Sequence, residues 1–189
     1  MTTGEEAVFA LLDLLNAAEI PYMLVGSFSS NAWGEARSTK DADFVVHLAP
    51  EKRAALFAEL PVGFECDHQI SFETITGHTR QILQIPSIPF EIELFDLSDE
   101  SFDQSRFSRR LKTTMGGRTV WLPTAEDVVV QKLRWSQLGK REKDFLDALG
   151  IAKVRRDRLD WEYIERWCRD LNILESLERL RRERSDFFD

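Results

Sequence analysis

The segment LVGSFSSNAWGEARSTKDADFVV, residues 24–46, constrains the fold more than any other part of the sequence. It contains, in order, a short apolar stretch, a Gly-Ser turn, a stretch at helical spacing and a second apolar stretch. Asp41 and Asp43 flank only Ala42, so on an extended strand their side chains point to the same face. The segment therefore predicts a strand, a helix and a second strand that carries two like charges side by side.

The flanking sequence continues this alternation as far as residue 122. Apolar residues recur at helical spacing within residues 5–18, and Pro50 opens another helix that ends near Leu60. Strand patterns follow in four further segments, residues 68–77, 79–85, 88–97 and 116–123. From Pro123 onward the pattern predicts helices alone, over residues 124–138, 141–154, 160–171 and 174–184.

We therefore expect an α+β protein with a small mixed sheet flanked by helices and followed by a C-terminal helical part. The change of pattern divides the chain into a sheet domain, residues 1–122, and a helical part, residues 123–189, packed against it. A chain of 189 residues is long enough for one such compact core with a helical half appended.

The charge distribution disfavours long nucleic acid as a ligand. The net charge is −8, and residues 151–189 carry ten basic and ten acidic residues, so the excess acid lies in residues 1–150. Proteins that clamp long nucleic acid usually carry a basic domain. One short basic stretch is the exception, and it is either solvated surface or a contact for a phosphate-rich substrate; it comprises Arg106, Arg109, Arg110, Lys112 and Arg118.

The sequence predicts a cytoplasmic protein that does not bind a membrane. No apolar run approaches the roughly 18 residues of a membrane span, and the amino terminus lacks the basic start of a signal peptide. Cys66 and Cys168 are far apart and outside any Cys-x-x-Cys pattern, so we expect both to be reduced thiols.

The Asp41-x-Asp43 pattern is typical of a divalent-cation site. On a strand, the two Cα atoms are about 6.6 Å apart, and carboxylates that close raise each other's pKa. Mg²⁺ relieves this repulsion because it takes oxygen ligands, and it keeps further positions for phosphate oxygens. Asp-x-Asp alone also occurs by chance and in other enzyme classes, so it needs support from the rest of the chain.

Two other features support a phosphate ligand. Gly26 and Ser27 join a strand to a helix, where free backbone N–H groups and a hydroxyl can bind phosphate, although the same turn also serves as a simple helix cap. Glu91 and Glu93 alternate with apolar residues on a later strand and share one face. Either glutamate can supply a third acid, and the alternative is that both are solvated.

In this order the motifs resemble the signature of the nucleotidyltransferase fold, with Gly-Ser, a helix, Asp-x-Asp on the next strand and a later acidic residue. The lead-in RSTKDAD is similar to the branch that contains AbiEii-type toxins of bacterial toxin–antitoxin systems. PTAEDVVVQKLRW and KDFLDALGIAKV resemble the helical half of that branch. The resemblance covers roughly residues 20–155.

The resemblance implies roles for residues of the sheet domain. Gly26 and Ser27 would bind the triphosphate of a nucleoside triphosphate such as ATP. Asp41 and Asp43 would hold Mg²⁺, two ions in all. Glu93 stands where the family usually has its third acid, commonly Asp, and the longer side chain leaves metal binding open but weakens the case for a base.

The resemblance also implies roles outside the sheet. Lys132 would neutralise phosphate charge, and either Asp144 or Asp147 would join it in the site. These residues have structural alternatives: Lys132 can be a surface lysine, and the two aspartates can pair with lysines one helical turn away. Arg37 can bind the carboxylates or a phosphate.

The expected function is Mg²⁺-dependent transfer of a nucleoside monophosphate from a nucleoside triphosphate to a hydroxyl or phosphate on an acceptor. The acceptor stays open among an RNA end such as that of tRNA, a protein and a small molecule. The resemblance adds a toxin role with an antitoxin partner. The alternatives are a nucleotide-binding module without turnover that acts through a protein partner, and a metal-dependent phosphohydrolase or nuclease.

Overall fold

A computed structural model describes residues 1–66, 71–72 and 79–185 of the chain. The helices are α1 (Gly4–Ala17), α2 (Gly26–Trp33), α3 (Pro50–Ala58), α4 (Ser101–Ser108), α5 (Ala125–Gly139), α6 (Glu142–Arg155), α7 (Trp161–Asp170) and α8 (Leu174–Ser185). The strands are β1 (Tyr22–Leu24), β2 (Asp41–Val46), β3 (Glu65–Cys66), β4 (Ser71–Phe72), β5 (Thr79–Gln84), β6 (Glu91–Asp96), β7 (Leu111–Met115) and β8 (Arg118–Leu122). Apart from β4, most of the predicted strand over residues 68–77 lies outside the described residues.

The chain forms two compact units. The sheet unit consists of Met1–Phe28 and Ser38–Pro123, and the helical unit consists of Ser29–Arg37 and Thr124–Asp189. The helical unit thus includes a short segment from the first quarter of the chain, which the sequence pattern did not indicate. That the helical part packs against the sheet domain stays a prediction.

The described strands confirm the expected small mixed sheet flanked by helices. The main sheet has the order β1-β2-β6-β5-β3, and β4 also pairs with β5. β2 and β6 are parallel, whereas β1 with β2 and β5 with β6 are antiparallel. β7 and β8 form a separate antiparallel hairpin. β2 and β6 pair directly with each other, so the two strands that carry paired acids are neighbours.

The two faces of the sheet have different environments. Leu24, Phe44 and Ile92 point to one face, where they form the main apolar core with α1 and α3. Met23 and Val45 point to the other face, where a smaller cluster forms with residues of β6 and α4. The strand alternation that builds the main core therefore directs the odd-numbered residues of β2 and β6 away from it.

Capping side chains mark the starts of α1, α5 and α7. Thr3 accepts a hydrogen bond from the Glu6 backbone N–H at the start of α1, and Thr124 accepts one from Asp127 at the start of α5. Asp160 caps α7 in the same way. None of the described helices is long and apolar enough to cross a membrane.

Among the helices and strands named above, α4, β7 and the two-residue strand β3 were not predicted. The buried face of α4 contains an ion pair, in which Arg106 Nε donates to Asp103 Oδ1 at 2.8 Å, so the helix has no clear apolar period. β7 is almost wholly exposed and therefore lacks the alternation of apolar and polar residues that marks a half-buried strand.

The segment 29–37 is held within the helical unit by specific contacts. Asn31 donates to the Arg37 carbonyl at 2.8 Å and accepts from the Arg37 N–H at 3.1 Å, which closes the segment into a loop. A Cβ on Gly34 would lie 2.9 Å from Ile151 of α6, so the backbone there approaches the helix more closely than another residue would allow. The Arg155 guanidinium lies over the Trp33 ring, 4.5 Å from its centroid.

Candidate active site

Four acidic residues share one face of the two central strands. In the parallel pairing of β2 and β6, Asp41 is opposite Glu91 and Asp43 is opposite Glu93. Neighbouring strands are about 4.8 Å apart and residues i and i+2 point the same way, so the four carboxyl groups form a compact group. We call this surface the carboxylate face. The acidic pairs of β2 and β6 therefore lie side by side on this face.

Asp43 lies directly against the Gly26 corner. Gly26 has a φ of +58°, and a Cβ placed there would lie 1.8 Å from Asp43 Oδ2. The Val25 N–H also donates to the Asp43 carbonyl at 2.8 Å, which joins the end of β1 to β2. Ser27 follows in the first turn of α2 and is only 6% exposed. The predicted glycine–serine turn and the predicted Asp-x-Asp motif are therefore adjacent in space.

Asp41 is oriented by a residue that the sequence analysis did not single out. Thr39 Oγ1 donates a hydrogen bond to Asp41 Oδ1 at 2.5 Å, just before the strand begins. The carboxylate keeps lone pairs beyond the one used by Thr39, because an ionised carboxylate can accept about four hydrogen bonds. Thr39 thus fixes the direction of Asp41 without using up its capacity to bind a ligand.

Glu93 is held by an arginine from the neighbouring strand. Arg80 of β5 donates through Nη1 to both carboxylate oxygens of Glu93, each at 2.8 Å. Burial raises the pKa of Glu93 above its ordinary value; Arg80 lowers it in part, and the charges of Asp41 and Glu91 raise it further. Arg80 was not identified from the sequence, because its position diagonal to Glu93 on the same face depends on how β5 pairs with β6.

The donor set fits one divalent cation better than a closed metal cage. Among the described residues, no group of three or more His, Cys, Asp or Glu side chains is placed to hold a metal ion. Asp41 and Asp43 nevertheless offer hard oxygen donors on one face, and Mg²⁺ commonly binds through one or two carboxylates while keeping waters and substrate phosphates as its other ligands. The two aspartates therefore fit such an ion, whereas Glu93 is bonded to Arg80.

The remaining predicted site residues lie in the helical unit, where they contact one another. Lys132 Nζ donates to Asp144 Oδ1 at 2.7 Å and lies 2.8 Å from Asp147 Oδ2. Arg37 donates to both oxygens of Asp147, from Nε to Oδ1 at 2.7 Å and from Nη2 to Oδ2 at 2.8 Å. Lys132 is 8% exposed, so it is a buried member of an ion-pair network rather than a surface lysine. We call these four residues the ion-pair network.

The network answers part of the question left open by the sequence. Both Asp144 and Asp147 contact Lys132, so neither of them pairs primarily with a lysine on its own helix. Arg37 binds Asp147 rather than standing alone. A role of these residues in binding phosphate stays a prediction.

Asp147 is stabilised in its charged form by the two cations of this network, Arg37 and Lys132. Burial raises the pKa of Asp147, but the hydrogen bonds and charges of Arg37 and Lys132 outweigh it and hold the pKa below its ordinary value. A carboxyl group with a lowered pKa stabilises the fold above its unfolded-state pKa, and this stabilisation is lost as the pH falls through the folded-state pKa.

We therefore expect Asp147→Asn to lower the free energy of unfolding by about 2 kcal/mol at pH 7, since it leaves two cations with one carboxylate and Arg37 is partly solvated. The difference from the wild type should shrink as the pH falls from about 5 to about 2. Urea titrations of both proteins at pH 7 and at about pH 2 measure this difference in the free energy of unfolding. Asp170→Asn, at an exposed position of α7, is the matched control, and equal effects of the two variants at pH 7 would contradict the assignment.

The basic stretch of residues 106–118 is largely engaged within the sheet unit. Arg106 binds Asp103, and Arg118 binds Asp13 through Nε at 2.9 Å. The Arg110 guanidinium lies over the Phe107 ring, 4.1 Å from its centroid. These contacts support solvated or packed surface as the role of the stretch over a phosphate-binding role.

Comparisons of structure give consistent neighbours. A nucleotidyltransferase-like antigenic protein of Paracoccidioides brasiliensis superposes with a TM-score of 0.59 at 18% identity, over 98% of this chain and 91% of that one. ANT(2")-Ia in complex with adenylyl-2"-tobramycin gives 0.60 at 13% identity, over 87% and 94%. The lincosamide antibiotic adenylyltransferase LnuA, lincomycin-bound, gives 0.55 at 16%, over 79% and 97%.

Comparisons of sequence add nothing to this result, because neither a protein-family model nor a curated protein matches the chain. The structural neighbours share less than a fifth of their residues with it. At that distance a likeness carries the architecture only. The protein has the nucleotidyltransferase-like fold.

Proposed function

We propose that this protein is a nucleotidyltransferase that uses a nucleoside triphosphate, ATP among the candidates, as donor. The observation that carries the proposal is the contact of the Asp43 carboxylate with the Gly26 corner, with Asp41 beside it on the same strand. A glycine corner that opens a helix suits a phosphate chain, and adjacent carboxylates suit the cation that accompanies it. A site with both parts serves triphosphate chemistry better than hydrolysis of a simple ester.

Each part of the site has a role in the proposed reaction. The acceptor oxygen forms a bond to the α-phosphorus, the bond from the α-phosphorus to the bridging oxygen breaks, and pyrophosphate leaves. Gly26 and Ser27 bind the phosphate chain, and Asp41 and Asp43 hold Mg²⁺, which when bound neutralises charge on the phosphates. The acceptor hydroxyl gives its proton to water or to a carboxylate of the carboxylate face.

Further members of the site belong to the same proposal. Lys132 would neutralise phosphate charge with Asp144 or Asp147 as its acidic neighbour, and Arg37 would contact a phosphate. A second Mg²⁺ ion needs a third acid, for which Glu93 or Glu91 is available. The AbiEii-type branch, the toxin role and an antitoxin partner depend only on the resemblance in sequence and stay predictions.

The part played by Glu93 can be tested through Arg80. If Glu93 helps to hold the cation, Arg80→Gln should tighten Mg²⁺ binding about fivefold, because removing a nearby unit charge is worth on the order of 1 kcal/mol at such a site. Glu93→Gln should weaken it. Isothermal titration with MgCl₂ measures both.

The matched control is Arg53→Gln, because Arg53 of α3 binds Asp96, which points to the opposite face of β6. It should leave Mg²⁺ affinity unchanged. An unchanged affinity in Arg80→Gln as well would remove Glu93 from the proposed cation site.

The test of the proposed function is an incubation with Mg²⁺, a cell lysate and each nucleoside triphosphate, labelled at either the α- or the γ-phosphate. We expect α-label on an acceptor, γ-label in pyrophosphate, and no product with EDTA. Tight nucleotide binding without product would favour a binding module. Label released as free phosphate or monophosphate would favour a phosphohydrolase. Either result would refute the proposal.

A further inference from the structure

A cleft of about 460 Å³ opens beside the carboxylate face within the sheet unit. Asp41, Glu91 and Glu93 line one part of it, and the turn of residues 85–90 lines another. Pockets for small molecules typically measure about 300–1,000 Å³, with apolar walls and a few polar groups. The cleft, which we call the Glu91 cleft, is of this size, and five of the ten residues that line it are apolar.

The apolar wall of the Glu91 cleft is fixed in place. The turn contains two prolines, and the Ile88 N–H donates to the Ile85 carbonyl at 2.9 Å. Phe90 packs on α1, where a Cβ on Gly4 would lie 2.4 Å from its ring, and Ser87 Oγ donates to the Met1 carbonyl at 2.9 Å. A wall that is already ordered loses little conformational entropy when a ligand binds.

The polar part of the cleft is acidic. Three carboxylates line the cleft together with a single lysine, Lys40, which is exposed. Glu93 is bonded to Arg80, and Asp41 is the proposed cation ligand. Glu91 is exposed, and its carboxylate has no hydrogen bond or ion pair with another described residue. It is therefore the acid that an incoming ligand can pair with.

The position of the cleft in the sheet agrees with in-line displacement. The strand order β1-β2-β6-β5 places the Gly26 corner on the β1 side of Asp43, and the Glu91 cleft on the β6 and β5 side of Asp41. In-line transfer requires the acceptor and the leaving pyrophosphate on opposite sides of the α-phosphorus. The two subsites lie on opposite sides of the aspartates, as this geometry requires.

We infer that the Glu91 cleft binds the acceptor, and that the acceptor is a compact organic molecule with a hydroxyl group, an apolar ring and an ammonium group that pairs with Glu91. Calling the ligand of the cleft an acceptor rests on the proposed function. The existence of the cleft and its preference for an ammonium group do not. Glu91 is then a specificity-determining residue. A phosphate-rich acceptor such as an RNA end is the opposite case, because the Glu91 carboxylate would repel it.

The test measures binding without nucleotide, by ligand-observed NMR. The probes are trans-4-aminocyclohexanol and trans-1,4-cyclohexanediol, which have similar shapes and differ in the ammonium group. The wild type should bind the amine at least threefold more tightly than the diol, and Glu91→Gln should abolish that preference. Glu59→Gln, at an exposed position at the end of α3, should retain it.

Three results would overturn the inference: no preference in the wild type, a preference that survives Glu91→Gln, or displacement of the amine by a short oligoribonucleotide. The binding experiment contains no triphosphate, so its result does not depend on whether the protein transfers nucleotides. The absence of a preference for the amine would likewise leave the result of the transfer assay unchanged. The two proposals therefore stand or fall separately.

Discussion

Asp41→Asn and Asp43→Asn are each expected to reduce nucleotidyl transfer at least about a thousandfold while the protein stays folded. A bound divalent cation contributes several kcal/mol to stabilising charge in phosphoryl transfer, and each 1.36 kcal/mol is a factor of ten in rate. Asparagine keeps the shape of the side chain but lowers the charge that attracts Mg²⁺. The measurement is the initial rate of labelled product formation at saturating Mg²⁺ and triphosphate.

The stability of these variants separates a chemical role from a structural one. Asp41 contributes to raising the pKa of Glu93, so the carboxylates on this face repel one another without a cation. Removing one charge should leave the free energy of unfolding within about 1 kcal/mol of the wild type, or raise it. Asp99→Asn, at an exposed position before α4, is the control for both rate and stability. Wild-type turnover in either aspartate variant would defeat the proposed function.

The sequence predicts those contacts of the site that join residues close together in the chain. Gly26 and Asp43 are seventeen positions apart, and the strand, turn, helix and strand between them follow from spacing and turn residues. Alternation along β2 and β6 likewise directs Asp41 and Glu93 away from the apolar core. These features depend on period-two geometry, which can be deduced from a single strand.

The unpredicted part depends on pairings between distant segments. The bond of Arg80 to Glu93 requires the register of β5 on β6, which no local pattern fixes. Arg37 and Asp147 are 110 positions apart, and their contact depends on the segment 29–37 joining the helical unit. Charged residues in half-buried pairs lack the hydrophobic period that a sequence pattern reveals, so neither contact could be predicted from the sequence.

Gly26→Ala is expected to lower the free energy of unfolding by about 2–5 kcal/mol and to reduce transfer at least about a hundredfold. An alanine at φ +58° costs roughly 1–2 kcal/mol, and overpacking a filled site adds about 1–3 kcal/mol. The new Cβ would overlap Asp43 Oδ2, so the carboxylate or the corner must move. A displacement of about 1 Å can cost a hundredfold in rate. Denaturant titration and the labelled-product assay measure the two effects.

Gly117→Ala separates the backbone strain from the overlap with Asp43, because Gly117 also has a positive φ, +77°, but a Cβ there meets no atom within 4 Å. It should show only the roughly 1–2 kcal/mol of strain and keep its activity. Adding Asp43→Ala to Gly26→Ala removes the carboxylate and leaves the nearest Asp43 contact at 3.1 Å, so stability should recover toward that of Gly117→Ala while activity stays absent. If Gly26→Ala and Gly117→Ala prove equally stable and equally active, the glycine corner does not hold Asp43, and the proposed phosphate site loses the contact on which it is built.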